Sequence, residues 1–155
     1  MRLALVLLAA ASLSAQPKPC SGPEFRQFDF WIGEWEVHAN GKIAGTNRIK
    51  SIYNGCVLEE RWDGVSGVSG ASFNSFEPET GLWHQAWVDS TGGRLALSGI
   101  FENGRMTLSG KRADAGIDRI TWTPNEDGTV RQLWETSKDG VKWETSFDGL
   151  YKRLK

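Results

Sequence analysis

Glu60-Arg61-Trp62, Gln85-Ala86-Trp87 and Gln132-Leu133-Trp134 each set a hydrogen-bonding side chain two residues before a tryptophan. In extended chain, residues two apart share a face. Each pair therefore offers one surface both an indole that stacks on a ring or apolar chain and a polar group that orients it. Trp122 lies on a further segment of the same alternating kind. Trp62, Gln85, Trp87, Trp122, Gln132 and Trp134 are the candidate ligand-binding residues, and the expected partner is a small hydrophobic or aromatic molecule. The competing reading is that these rings only fill a narrow core. Two carboxylates share the same faces, Glu60 with Trp62 and Asp89 with Trp87. Turned into a cavity, either could serve as acid, base or ligand anchor, because burial raises a carboxyl pKa. An isomerase or hydrolase using Glu60 or Asp89, with Arg119 neutralising one of them, is the catalytic alternative to a binding protein. Acids at strand ends are more often solvated.

Other chemistries find less support. His38 and His84 are the only histidines, and neither has a Ser, Cys or second His at triad or metal spacing. No metal and no cofactor is expected. Ser137-Lys138-Asp139-Gly140-Val141-Lys142-Trp143 resembles the Asp-box hairpin of bacterial sialidases, one residue short, and reads as a turn device. The glycine-rich stretch 63–70 lacks the lysine and following helix of a phosphate-binding loop and reads as a loop at a barrel mouth. A third functional reading is an interaction module for a partner protein or glycan, which requires Trp83, His84 or Trp143 outside in one contiguous patch.

The elements that must carry these residues are strands. Short alternating runs at 34–40, 43–53, 56–62, 68–76, 82–89, 94–101, 105–111, 117–123, 129–137 and 141–151 are separated by turn signals such as Asn40-Gly41, Asn54-Gly55, Asn103-Gly104, Asp127-Gly128 and Asp139-Gly140. About ten antiparallel strands in sequence order predict an all-β, up-and-down barrel, with a two-sheet sandwich as the alternative. Ahead of the first strand, Ser21-Gly22-Pro23-Glu24 reads as a helix start, with Ser21 as cap and Glu24 at capping-box spacing. Phe25, Phe28, Phe30 and Trp31 give this short helix apolar bulk, suited to covering one end of the barrel.

Residues 1–15 read as a secretory signal peptide: Arg2 is followed by an apolar run too short to span a bilayer, and Ser12-Leu13-Ser14-Ala15 supplies small residues for cleavage. Cys20 follows Pro19, which argues against a lipid anchor. Residues 16–155 are then a single exported domain, periplasmic or extracellular. With 18 Lys and Arg against 19 Asp and Glu the charge is nearly balanced, so neither nucleic acid nor an anionic membrane surface is an expected partner. Export to an oxidising compartment makes a Cys20–Cys56 disulfide the default, with two free buried thiols as the alternative.

Gly33-Glu34-Trp35, after a short helix and at the opening of the first strand, resembles the Gly-x-Trp of the calycin superfamily, the lipocalins and their relatives. The resemblance implies a barrel whose closed end is crossed by Trp35, with a basic residue after the last strand, here Arg153, packed over the indole. Phe28-Asp29-Phe30-Trp31-Ile32-Gly33-Glu34-Trp35, Asn54-Gly55-Cys56-Val57-Leu58-Glu59-Glu60, Trp83-His84-Gln85-Ala86-Trp87-Val88-Asp89 and Asp148-Gly149-Leu150-Tyr151-Lys152-Arg153 further resemble an uncharacterised bacterial family of secreted lipocalin-like domains. That likeness implies the fold and no substrate. Haem-binding barrels of related architecture take an axial histidine late in the chain, where this sequence has none after His84.

Overall fold

The computed structural model describes residues 18–154; the segment read as an export signal lies outside them. Ten strands follow in order: β1 Gly33–Ala39, β2 Lys42–Ile52, β3 Val57–Gly64, β4 Ser69–Glu77, β5 Leu82–Asp89, β6 Arg94–Glu102, β7 Arg105–Lys111, β8 Ile117–Pro124, β9 Val130–Ser137 and β10 Glu144–Arg153. Each pairs antiparallel with the next, and β10 returns to β1 through pairs such as Val37 with Tyr151. The sheet closes into a barrel, which removes its edges and excludes the sandwich. The last strand starts at Glu144, later than the alternation suggested. Asp139 takes the backbone N–H groups of Val141 at 2.8 Å and Lys142 at 2.9 Å, holding those residues in the hairpin turn.

The short helix expected ahead of the first strand is present in 3-10 form. It is two 3-10 turns, Pro23–Arg26 and Asp29–Trp31, with Gly22 in place of Ser21 at the cap and no side-chain capping bond. Ser21 Oγ instead donates to the Lys18 carbonyl at 2.8 Å. The spacing explains the geometry: Phe25, Phe28 and Trp31 recur every three residues, and a 3-10 helix brings i and i+3 onto one edge where an α-helix would fan them apart. A segment this short also gains little from α-helical cooperativity.

That aromatic edge stops one end of the barrel. Phe28 and Trp31 are fully buried. Phe28 stacks on Trp31 at 4.9 Å and meets Trp83 and Trp122 edge-on at 5.6 and 5.2 Å. Trp35 crosses the same end, donating its N–H to the Trp31 carbonyl at 2.9 Å. The Arg153 guanidinium sits 4.3 Å from the Trp35 ring and also donates to the Ile32 carbonyl at 3.0 Å. Guanidinium stacking of this kind contributes about 0.5–1 kcal/mol at an exposed site. A Cys20–Cys56 disulfide, with Cα atoms 5.0 Å apart, ties the chain before the plug to the β2–β3 connection. This bond fits an exported protein. Among the described residues no helix is long and apolar enough to cross a membrane. A closed antiparallel barrel with a plugged end is consistent with the calycin resemblance.

Candidate functional site

Strand parity sorts the lumen into three layers. At the plugged end Ile49, Leu58, Trp83, Met106, Leu108, Trp122 and Val130 pack around Phe28 and Trp31. At mid-depth lies a polar belt. At the far end Trp62, Trp87, Leu95, Trp134 and Phe147 surround a cavity of about 240 Å³ whose deeper wall is Glu60, Gln85, Ile120, Gln132 and Tyr151. The lumen is thus solid in its lower part and open above, so the filled-core and open-pocket readings each describe one end.

The polar belt is a continuous hydrogen-bonded chain. Tyr151 OH donates to Gln132 Oε1, and the Asn47 amide donates to Tyr151 OH at 3.2 Å and to Glu60 Oε1 at 2.8 Å. Ser72 Oγ donates to Glu60 Oε2 at 2.6 Å, the Asn74 amide donates to Ser72 Oγ at 2.8 Å, and the Gln85 amide donates to Asn74 Oδ1 at 2.9 Å. Every member comes from an inward position of β2, β3, β4, β5, β9 or β10. The chain meets the requirement that buried polar groups be paired, with one exception: Asn47 Oδ1 has no partner.

Glu60 is the centre of this belt. It is 5% exposed and lines the cavity. Burial pushes its carboxyl above the ordinary range, against the opposing bonds from Ser72 and Asn47. Tyr151 is also raised, by burial first and the nearby Glu60 second, so its phenol keeps its proton.

The indoles above the belt are held flat against the barrel wall. Inward positions on neighbouring strands are glycines where a side chain would occupy the same space. A Cβ on Gly45 would lie 2.7 Å from the Trp62 ring, and one on Gly70 would lie 2.6 Å from Cη2 of Trp87. Gly149 opens the same space for Phe147. The rings occupy these gaps and leave the axis free. Two indole N–H groups are fixed by acids: Trp134 donates to Asp118 at 2.7 Å, and Trp87 to Asp89 at 3.2 Å.

Of the expected ligand-binding residues, Trp62, Gln85, Trp87, Gln132 and Trp134 line this cavity together. Trp122 does not: at 1% exposed it packs on Trp31 and Phe28 in the plugged layer, because it lies near the closed-end terminus of β8. Asp89 is a turn builder. One of its carboxylate oxygens accepts from Thr91 N, Thr91 Oγ1 and Gly93 N, and these bonds, that of the Thr91 hydroxyl foremost, hold its pKa down at about 2. It has no proton to give near neutral pH. Arg119 reaches neither acid, since it pairs with Glu135 at 2.9 Å and lies 3.7 Å over Trp143 on the outer face. His38 and His84 bond Glu36 and Glu77 at 2.7 and 3.2 Å, away from the cavity. Trp83 is buried in the plugged layer and Trp143 is covered by Arg119, so they form no contiguous outer patch with His84.

Tyr151, Asn47, Ser72, Asn74 and Phe147 belong to the site and were not singled out from sequence. A signal existed in inward-parity polar residues: Ser72 and Asn74 alternate on β4 as Glu60 does on β3. Among the described residues no group of three or more His, Cys, Asp and Glu stands close enough to hold a metal ion. No protein-family model matches the chain, and no curated protein is significantly similar to it.

Proposed function

We propose that the chain is an exported, calycin-type barrel that binds a small, largely aromatic or apolar molecule in the cavity between Trp62, Trp87, Trp134 and Phe147. The reading is carried by one observation: two indoles, Trp62 and Trp87, and the Phe147 ring are laid over glycines and keep a lumen open that their bulk would otherwise fill. About 240 Å³ is room for roughly eight waters at ~30 Å³ each, which suits a single ring with a short side chain. The amides of Gln85 and Gln132 at the floor select for a polar end on that molecule.

Titration of one-ring apolar compounds against intrinsic tryptophan fluorescence tests this. A saturable change is expected, with affinity weakened at least tenfold in Trp87→Ala, about 1.4 kcal/mol. Absence of any saturable response across the series defeats the proposal.

Glu60 supports a second reading, an isomerase or hydrolase in which its buried, cavity-lining carboxyl is the acid or base. Turnover lost in Glu60→Gln with ligand binding kept would favour it.

A further inference from the structure

The cavity holds a carboxyl group and no positive charge. Glu60 projects from β3 among Asn47 of β2, Ser72 of β4, Gln85 of β5, Gln132 of β9 and Tyr151 of β10. None of these is cationic, and only Tyr151 can titrate. Each carboxyl oxygen of Glu60 takes one protein donor, from Asn47 and from Ser72, where an ionised oxygen can accept more. Among the described residues no Lys, Arg or His lines this cavity.

The walls favour the same sign of charge. Indole faces carry a negative quadrupole that attracts cations, and Trp62, Trp87 and Trp134 surround the space above the carboxyl. Two of those rings donate their N–H edge to a carboxylate, Trp87 to Asp89 and Trp134 to Asp118, which adds electron density to the faces left open. Asp118 is partly offset by Arg112 at 3.4 Å. Among the described residues Asp89 has no such partner within ion-pair distance.

Resting on the proposed binding function, we infer that the ligand is cationic: a primary ammonium on a short aromatic or apolar skeleton, its charge set against Glu60 and its body between the three indoles. A neutral ligand of the same shape brings no counter-charge and, as an alcohol, at most one donor. An ammonium supplies both the counter-charge and the missing donors. Burial raises the Glu60 pKa in the empty site and a neighbouring ammonium lowers it again, so binding of the amine releases to bulk solvent the protons that the empty site holds, and the carboxylate is neutralised in place.

The test compares three probes of one skeleton against the full mature protein at pH 7.5: 2-phenylethylamine, 2-phenylethanol and phenylacetate. The amine is expected to bind at least tenfold more tightly than the alcohol, with phenylacetate weakest. Calorimetry in buffers of different ionisation enthalpy should register proton release for the amine and none for the alcohol. In Glu60→Gln the amine-to-alcohol ratio should fall to near one. Equal binding of amine and alcohol by the wild-type protein, or phenylacetate binding most tightly, overturns the inference and leaves the cavity a binding site. No saturable binding by any of the three overturns it together with the binding function. The wild-type ratio needs no variant to fold, so a misfolded Glu60→Gln protein does not protect the idea.

Discussion

Glu60 concentrates the cost of a polar residue in a barrel. Its folded pKa lies above the ordinary glutamate value of 4.5, so between the two the native state binds more protons than the unfolded chain. Stability from this group is complete below the unfolded pKa and declines as pH rises through the folded one. Glu60→Gln should therefore raise the melting temperature at pH 8 and leave it nearly unchanged at pH 4, on a scale of a few degrees for each ~1 kcal/mol in a domain of this size. Gln keeps one acceptor oxygen for one of the two present bonds, and its NH2 becomes a donor where the other oxygen stood, with the Ser72 hydroxyl or the unpartnered Asn47 Oδ1 as acceptor. A pair of thermal scans of wild type and variant at the two pH values is enough; a variant less stable at pH 8 would show that the carboxyl is ionised and already well paired. Tyr151→Phe should act in the opposite sense. It strands Gln132 Oε1 and one Asn47 donor, and costs roughly 1–3 kcal/mol of unfolding free energy in a denaturant titration.

At the scale of the strand, the glycines facing the rings are as much part of the site as the tryptophans. Gly70→Ala places a methyl where the Trp87 ring now lies. The ring must swing toward the axis and the Val88 carbonyl, 2.8 Å from that methyl, must give way, so ligand affinity should fall by tenfold or more and stability should fall with it by about 1–3 kcal/mol. Fluorescence titration beside a thermal scan separates the two effects; unchanged affinity would mean the indole has another place to go. Strand parity made Trp62, Gln85, Trp87, Gln132 and Trp134 legible as one set, because two-residue periodicity is a local property. Trp122 obeys the same parity and still misses the cavity. Depth along the barrel depends on the stagger between strands, which no single strand records. Glu60 and Asp89 shared equal standing for the same reason: parity gave each a face, but only the fold shows that Glu60 sits at mid-depth in the belt, while Asp89 lies at a turn whose N–H groups claim it. The short N-terminal helix is legible from Pro23 and the aromatic residues that follow, and the three-residue spacing of Phe25, Phe28 and Trp31 accounts for its 3-10 form.

For the whole molecule, the ten-strand order was written in the turn signals, and closure followed from there being no long crossover. The disulfide and the plug act together at the closed end. Replacing both cysteines with serine removes a cross-link spanning 36 residues, a loss of about 3–4 kcal/mol on the chain-entropy model. The unfolding midpoint should drop accordingly, and trimming by protease should begin ahead of Phe25 rather than in the strands; a midpoint unchanged by reductant would sink this account. The stopped end has another consequence. A molecule that enters between the tryptophans has to leave by the same door, head last, and whatever part of it exceeds the depth above Glu60 stays in solvent. The barrel can inspect only one terminus of its guest. Along a series of growing chain length, affinity should climb while the chain fills the lumen and then level off, with the protruding tail free for another protein to grasp.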